Sequence, residues 1–330
     1  MNLHAPSQAP PARWAIPLAF TLVYLAWGTT YIAIRFGVHQ FPPALFGGVR
    51  IGLAGLVLLG FLYGRGESLR LSRPDLCWAA VLGAIFFMAG NYLVTVGVKY
   101  VASGVAAILV ATTPLWTALL ETLWPGGERL RWRGWLGLLV GLGGVALLKL
   151  DHAADRDTDW GSLLVVGSAL SWAFGSCLLR RHRQRGSHLL TAAYQMIFGG
   201  LGQTLVGLAL REPAQLTPDS FTPRAVYAFF HLLIFGSLVG FVAYNWLLGH
   251  VSTSQASTYA YVNPAVAILV GWLLGDQEIT LSILAGMTVI LLGVALVRTQ
   301  KQGQVVVVEE PSTLVEEPAP RRWDPPTRPR

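Results

Sequence analysis

Two stretches of the chain decide the fold: residues 100–114 read YVASGVAAILVATTP, and residues 250–264 read HVSTSQASTYAYVNP. Both run from an aromatic residue or histidine, through small and apolar residues, to a proline. Pro114 and Pro264 each lie in an apolar segment long enough to cross a membrane. A proline inside a helix removes a backbone donor and clashes with the preceding turn, so each proline predicts a broken helix. The freed carbonyl needs a partner inside the protein, so both breaks are expected beside a cavity or another helix.

Other segments repeat around these two in the same order. GGVALL at 143–148 resembles LGVALV at 292–297, one residue out of step, and AWGTTYIAIR at 26–35 resembles SWAFGSCLLR at 171–180. Each pairing is weak by itself. Together they indicate an internal repeat of five hydrophobic segments, which is a signature of transporter folds.

The composition is that of a membrane protein. Hydrophobic residues make up 53% of the chain, charged residues only 12%, and the mean hydropathy is +0.52. A soluble domain carries roughly twice that charge. The net charge of +7 is interpreted as arginines that meet anionic lipid. Nucleic acid is not expected as a partner, because no aromatic-basic platform accompanies the charge. Cys77 and Cys177 predict no disulfide framework.

The hydrophobic runs predict an all-α integral membrane protein with ten transmembrane helices. The first five-helix repeat is placed at 16–150 and the second at 160–298, between an N-terminal cytoplasmic segment (1–15) and a disordered, proline-rich cytoplasmic tail (299–330). The predicted spans are 16–37, 44–63, 75–97, 104–124, 133–150, 160–180, 189–210, 225–248, 254–274 and 281–298.

The distribution of basic residues predicts the orientation. Ten arginines lie in one set of loops, clustered at 65–73, 129–133 and 180–185, whereas the opposite set holds only five basic residues. The positive-inside rule therefore places the first set and both termini in the cytoplasm. Because five spans per half is an odd number, the second half starts from the other side of the membrane and the repeat is inverted.

Polar and aromatic residues cluster near the middle of several predicted spans. Each alone is more typical of a helix–helix contact than of a ligand contact. Combined with the two proline breaks, Pro114 and Pro264, which are assigned to helix breaking and gating, they predict a substrate cavity at the repeat interface. The candidate residues are Trp27, Thr30, Tyr31, Arg50, Asn91, Tyr92, Thr95, Thr113, Trp116, Tyr259 and Asn263.

Three charges lie inside or at the ends of the predicted spans. Arg50 is about seven residues into the second span, and two interpretations stay open: an anchor for an anionic group such as a carboxylate, or snorkelling and capping of helix carbonyls. Arg35, near the outer end of the first span, is expected to snorkel. Glu121 is expected to be an interfacial residue near Arg129 or Arg131.

Four stretches carry a resemblance to a known family: AWGTTYIAIRFGV, FPPALFGGVRIGLAG, NYLVTVGVKYVASGVAAILVATTPLW and ASTYAYVNPAVAILVGWLLGDQEIT. They resemble the EamA-type family of the drug/metabolite transporter superfamily, over about residues 14 to 298. The resemblance implies a ten-helix inverted repeat, a central cavity and export of metabolites, amino acids or drugs across the inner membrane. By that likeness Trp27, Asn91, Pro114 and Pro264 fall on motif positions.

The function expected is a secondary transporter that exports small amino-acid-like or drug-like metabolites by alternating access. A membrane-embedded enzyme is the first alternative, but the histidines are scattered and no HExxH, GxSxG or paired-carboxylate motif is present, so no catalytic residue, metal or cofactor is expected. A channel or lipid-handling scaffold is the second alternative. The expected partners are a small-molecule substrate and the bilayer. Gly137 and Gly141 predict close helix packing in a monomer or homodimer.

Overall fold

The computed structural model describes residues 14–125, 127, 129–148, 156–181, 187–248, 250 and 259–299. Most of the predicted N-terminal segment, the start of the ninth predicted span and nearly all of the predicted tail lie outside these residues. Within them the chain is helical and contains no β-strand.

Each predicted span overlaps helix in the structure, and several spans are built from two or three consecutive helical pieces. The pieces are α1 (Ala15–Gly28), α2 (Thr30–Val38), α3 (Pro43–Gly64), α4 (Arg73–Gly83), a first π-helical segment (Ala84–Asn91), α5 (Tyr92–Gly97), α6 (Ser103–Val110), α7 (Thr113–Leu123), α8 (Trp132–Leu147), α9 (Arg156–Arg181), α10 (His188–Ala209), two short 3₁₀ turns (Glu212–Gln215 and Pro218–Ser220), α11 (Pro223–His231), a second π-helical segment (Leu232–Val239), α12 (Gly240–Leu248), α13 (Tyr259–Leu273) and α14 (Leu281–Thr299).

Length and composition identify six of these stretches as able to cross a membrane. Three further apolar helices in α8, α13 and α14 are shorter, and α10 has 22 residues but also carries two buried glutamines. The number of ten membrane crossings therefore stays a prediction. The six candidate spans are Ala15–Val38, Pro43–Gly64, Arg73–Gly97, Ser103–Leu123, Asp159–Leu179 and Pro223–Tyr244.

Large apolar side chains point outward along these helices. Leu56, Leu139, Leu163 and Phe230 are all more than half exposed. A monomeric soluble protein rarely displays so much contiguous apolar surface, whereas lipid tails accept it at no cost. The outer surface is therefore suited to the bilayer.

The main contacts between helices follow the internal repeat: a contact made by a helix of one half has a counterpart made by the corresponding helix of the other half. Helix α3 packs on α10, α6 on α13, and α8 on α14, so each helix meets its counterpart in the other half. Helix α1 packs on α12 and α13, and α9 packs on α5 and α6, which is the same relation after the exchange. The two halves therefore form one interlocked body with its interior at their interface.

Glycines allow two of these pairs to approach closely. A Cβ atom on Gly200 of α10 would lie 2.3 Å from the backbone nitrogen of Gly52 in α3. A Cβ on Gly293 of α14 would lie 2.5 Å from the backbone nitrogen of Gly141 and 2.6 Å from the carbonyl oxygen of Gly137. The predicted Gly137–Gly141 motif thus packs within the chain, through backbone contact that no larger residue permits.

The helices are interrupted at places that differ in part from the prediction. The helix is interrupted at residues 111–112, between α6 and α7. Pro114 lies in the first turn of α7, where the backbone N–H of any residue would lack an intrahelical acceptor, so the proline costs no hydrogen bond. Helix α13, in contrast, runs through Pro264 without a break, so the predicted second interruption is wrong. A break at Thr29, between α1 and α2, was not predicted.

The two π-helical segments were not predicted either. They begin at Ala84 and Leu232, at closely corresponding places in the two halves. A π-helix widens the turn and leaves carbonyl groups without their usual partners, and such segments occur often at functional sites.

Candidate functional site

A cavity of about 160 Å³ lies between the two halves of the chain. Helices from both halves contribute to its wall, and both π-helical segments are among them. The wall combines several aromatic rings with a small number of polar groups, which is the usual composition of a small-molecule site. The lining residues from the first half are Trp27, Thr30, Tyr31, Ile34, Arg50, Ile51, Phe87, Asn91, Val94, Val110 and Thr113. Those from the second half are Ser168, Trp172, Ser176, Met196, Leu232, Gly236, Ser237, Phe241, Tyr259 and Asn263.

Arg50 supplies the positive charge of this wall. It is only 4% exposed, and its guanidinium makes two hydrogen bonds, both to neutral side chains. Nη1 donates to Ser237 Oγ at 3.0 Å, and Nη2 donates to Asn91 Oδ1 at 3.3 Å. Its Nε has no partner among the described residues. Among the described residues the arginine caps no helix carbonyl, which was part of one of the two interpretations of its position.

The two π-helical segments hold the guanidinium from opposite halves. Asn91 is the last residue of the first segment, and Ser237 lies in the second. Asn91 is itself held by Thr95, whose hydroxyl donates to the Asn91 carbonyl oxygen at 2.6 Å. Arg50 on α3 is thus fixed by one side chain from each half.

Two tryptophans occupy corresponding places in the wall. The Nε1 atom of Trp27 donates to the carbonyl oxygen of Gly236 at 3.0 Å, inside the second π-helical segment. Next to Trp172, Ser171 Oγ donates to the carbonyl oxygen of Ile85 at 2.8 Å, inside the first. In each half, therefore, the first span hydrogen-bonds a carbonyl of the other half's π-helical segment.

The two tryptophan rings also pack in corresponding ways. A Cβ atom on Gly240 would lie 2.6 Å from Trp27 Nε1, and one on Gly90 would lie 2.9 Å from Trp172 Nε1. Trp27 makes an edge contact with Tyr259 at a centroid distance of 4.8 Å, and Trp172 packs on Phe86 at 4.9 Å.

Most of the candidate cavity residues come together in the structure. The residues that line the cavity are Trp27, Thr30, Tyr31, Arg50, Asn91, Thr113, Tyr259 and Asn263. Three candidates lie outside its lining: Tyr92, which follows Asn91 and points about 100° away around the helix; Thr95, fully buried and bonded to Asn91; and Trp116, whose Nε1 donates to Thr112 Oγ1 at 3.1 Å.

Several lining residues were missed by the sequence reasoning. Ser168, Trp172 and Ser176 all come from α9, which contributed no candidate. The repeat itself held the signal, because pairing residues 26–35 with 171–180 aligns Trp27 with Trp172 and Tyr31 with Ser176. Ser237 had no comparable signal, since its role depends on the fold of the second π-helical segment.

An ion pair closes one end of this region. Arg35 pairs through Nε with Asp276 Oδ1, and its Nη1 donates to the carbonyl oxygens of Val98 at 2.9 Å and Val101 at 2.6 Å. Asp276 Oδ2 also accepts a hydrogen bond from the backbone nitrogen of Ser103, at the start of α6. The expectation that Arg35 snorkels is therefore wrong, because a carboxylate from the loop before α14 reaches it.

A second ion pair lies at the opposite end. Arg181, the last residue of α9, donates to both carboxylate oxygens of Glu121, at 3.0 and 2.6 Å, and its guanidinium lies 4.6 Å from the centre of the Trp124 ring. Glu121 was expected to be an interfacial residue near Arg129 or Arg131, and the structure shows Arg181 as a partner. Ser103 begins and Glu121 nearly ends one 21-residue span, and the lining residue Thr113 lies between them. Along that span, the cavity therefore lies between the two ion pairs.

A second cavity, of about 370 Å³, adjoins the Arg35 ion pair. Its wall includes His39, Arg224 and Asp276. Burial, reinforced by the nearby charge of Arg35, lowers the pKa of His39 below its usual value. This cavity lies at the end of the first span, not between the middles of the two halves.

The arrangement is suited to binding. Among the described residues, no group of three or more His, Cys, Asp or Glu side chains is placed to hold a metal ion. The described lining of the central cavity includes no carboxylate. The side chains present can hydrogen-bond, stack and attract an anion.

Two interlocked halves around a polar-aromatic cavity, with an apolar outer surface, define a two-repeat helical membrane protein. The sequence signature of the EamA-like transporter family matches residues 13–150 and again residues 159–299. The chain belongs to the EamA-like transporter family.

Named relatives cover nearly the whole chain. It is 35% identical over 296 residues to the uncharacterized inner membrane transporter YedA of Escherichia coli K12, covering 88% of this chain and 93% of the relative. It is 26% identical to the uncharacterized transporter YvbV of Bacillus subtilis, covering 90% and 95%. It is 27% identical to an S-adenosylmethionine/S-adenosylhomocysteine transporter of Chlamydia trachomatis serovar L2, covering 91% and 94%.

The fold also has a counterpart among solved structures. One crystal structure superimposes with a TM-score of 0.60 and 21% sequence identity, covering 87% of this chain and 98% of that one. At this identity the likeness shows the fold alone.

Proposed function

We propose that this protein is a secondary transporter that exports small metabolites across the inner membrane by alternating access. The observation that carries the proposal is a cavity walled by both repeats, with an ion pair at each end of the span beside it. Family membership and the names of its relatives support transport and the inner membrane. Export is proposed from the family resemblance, and the class of substrate is proposed from the composition of the cavity wall.

In this proposal ten helices cross the membrane as two inverted five-helix repeats, 16–150 and 160–298, with both termini in the cytoplasm. The Arg35–Asp276 pair closes the outer end of the pathway and the Arg181–Glu121 pair closes the inner end. Breaking one pair while the other holds exposes the cavity to one side at a time, as alternating access requires. Arg35 in the first span of the first repeat meets Asp276 in the loop after the fourth span of the second repeat. Arg181 in the first span of the second repeat meets Glu121 in the fourth span of the first repeat. Both pairs therefore respond when the two repeats move against each other.

The eight candidate residues that line the cavity are the proposed substrate contacts. A relative named as a transporter of S-adenosylmethionine and S-adenosylhomocysteine is compatible with an amino-acid-like substrate for this chain. Aromatic rings and hydrogen-bonding side chains in one wall favour a compact substrate with defined hydrogen bonds.

The experiment compares metabolites released into the medium by bacterial cells that express the wild type or Ser176→Phe. Ser176 lines the cavity, so a phenylalanine at this position fills the space that a substrate needs. The matched control is Ser68→Phe, which places the same ring in an exposed loop. We expect one or more metabolites to accumulate in the medium with the wild type and the control, and not with Ser176→Phe.

Two results would contradict this proposal. If the media of cells that express the three proteins contain the same metabolites at the same levels, the proposed transport function is wrong. Depletion of a metabolite from the medium by the wild type would reverse the direction to import.

A further inference from the structure

Three polar atoms of the cavity's lining residues are buried and have no hydrogen-bond partner among the described residues. They are Nε of Arg50, Oγ of Ser168 and Oδ1 of Asn263. All three residues are at most 4% exposed. A buried polar atom without a partner costs free energy. Three such atoms on residues around one cavity are positions where a bound ligand can form hydrogen bonds.

The charge of the cavity shows what kind of ligand this is. Arg50 carries the only formal charge among the described lining residues at neutral pH. Its two hydrogen-bond partners, Ser237 and Asn91, are neutral, so the charge is not compensated. Arginines 35 and 181, in contrast, each meet a carboxylate. A guanidinium in this environment attracts an anion strongly, because the surroundings screen it weakly.

The size of the cavity limits the ligand further. Drug-sized ligands occupy pockets of roughly 300 to 1,000 Å³, and the volume here is about 160 Å³. A compound of amino-acid size fits this space better than a drug-sized compound. The rings of Trp27, Trp172 and Tyr259 provide the apolar wall for its body.

We propose that Arg50 binds the carboxylate of a small zwitterionic, amino-acid-like substrate. The Asn263 amide oxygen accepts a hydrogen bond from the substrate's amino group, and the Ser168 hydroxyl completes the site. Arginine is suited to this role because its planar fork donates two parallel bonds to a carboxylate. This inference rests on the proposed transport function and names the substrate class of the same cavity.

The test uses the purified full-length protein and the twenty proteinogenic L-amino acids as probes. Thermal shift identifies the compounds that bind, because a ligand specific to the folded state raises Tm. Each compound that binds is then titrated calorimetrically beside its α-carboxamide and its decarboxylated amine. We expect both derivatives to bind at least about tenfold more weakly, since a charged hydrogen bond is lost.

The same titrations are made on two variants of the arginine. Arg50→Gln should weaken binding by about ten- to hundredfold, and Arg50→Lys, which keeps the charge but loses the fork, should weaken it less. The Tm of each ligand-free variant is measured beside that of the control Arg65→Gln, so that a loss of stability is separated from a loss of binding. Arg65 directly follows the same helix, and its side chain is 65% exposed, with Nε 3.7 Å from Glu67 Oε1.

Several outcomes would overturn the inference. These are failure of all twenty amino acids to bind the wild type, equal binding of a carboxamide, and unchanged affinity in folded Arg50→Gln. If Arg50→Gln does not fold, Arg50→Lys and the carboxamide series on the wild type decide the question. Export of a metabolite that has no carboxylate would leave the transport function standing and remove the carboxylate site. If binding depends on Arg50 but the protein exports nothing, the carboxylate site stands and the transport function is wrong.

Discussion

Three arginines near or inside the spans differ only in what surrounds them. Arg35 meets the Asp276 carboxylate and two backbone carbonyls, and Arg181 meets both oxygens of Glu121. Within the part of the chain that the structure describes, Arg50 meets only a serine hydroxyl and an asparagine amide. The first two charges are compensated and join helices together. The third is uncompensated and lies at the cavity, where a substrate can pair with it.

Adjacent glycines in α8 provide a test of helix contact at the residue scale. A Cβ atom on Gly144 would lie 2.7 Å from Ile290 Cγ1 and 2.8 Å from the Ile290 backbone nitrogen, whereas one on Gly143 would meet nothing within 4 Å. We expect Gly144→Ala to destabilise the protein by about 1 to 3 kcal/mol, because the α14 backbone must shift. Thermal unfolding in detergent measures the effect.

Gly143→Ala is the matched control for this change. It makes the same substitution one residue earlier and gains up to about 1 kcal/mol from helix propensity, so Tm should stay the same or rise. Equal losses of Tm in the two variants would show that the α8–α14 contact is looser than the structure has it.

At the scale of the helical elements, the interruptions place the functional groups. The π-helical segments direct Asn91 and Ser237 toward Arg50, and the break before α7 leaves Thr113 at the cavity. The break at Thr29 is held by a 3.0 Å hydrogen bond between Thr29 Oγ1 and His231 Nε2, just before the second π-helical segment. Irregular backbone of this kind is tolerated at membrane depth where it is buried in protein or lines a cavity.

The two ion pairs predict opposite changes in access to the cavity. Asp276→Asn should open the Arg35 end and Glu121→Gln the Arg181 end, each by about 1 kcal/mol or more, which is about fivefold in the ratio of open to closed forms. A reporter cysteine replacing Thr113, in a chain without Cys77 and Cys177, measures access. Impermeant reagent added from outside should label this cysteine faster in the Asp276→Asn variant than in the protein with both ion pairs. The Glu121→Gln variant should show no such increase.

Glu67→Gln is the control for this experiment, because its partner Arg65 is exposed and the pair contributes little. It should leave the labelling rate unchanged. If Asp276→Asn and Glu121→Gln give the same rate from outside, the pairs are structural contacts and do not control opposite ends.

At the scale of the whole molecule, orientation in the membrane follows from the loops. Single cysteines at Thr158 and Ser187 lie near opposite ends of α9. We expect impermeant reagent on intact cells to label a cysteine at Thr158 and not one at Ser187, because the arginine-rich loop at 180–185 is retained inside. The background again lacks Cys77, which is exposed, and Cys177.

Labelling in permeabilised cells is the control for this topology test, and it should reach both positions. Labelling of Ser187→Cys but not Thr158→Cys on intact cells would place both termini outside. That result would also exchange the outer and inner ends of the proposed pathway.

The sequence by itself determined the class of the protein and its internal repeat. Runs of apolar residues, low charge and paired motifs are local properties, and lipid selects for them wherever a helix crosses the bilayer. Clustered polar residues such as Trp27, Asn91 and Asn263 were also readable, because a polar group is costly at membrane depth unless it meets a partner or a cavity.

Only the tertiary structure decided how these groups meet. The partners of Arg35, Arg50 and Glu121 lie between 41 and 241 residues away along the chain and become neighbours only when the repeats interlock. The π-helical segments have no signature in residue type, because they arise where packing between helices widens a turn. The two prolines also show that residue type alone does not determine where a helix is interrupted. Pro114 lies beside a break and Pro264 lies inside a continuous helix, since the surrounding helices determine whether the lost hydrogen bond interrupts the backbone.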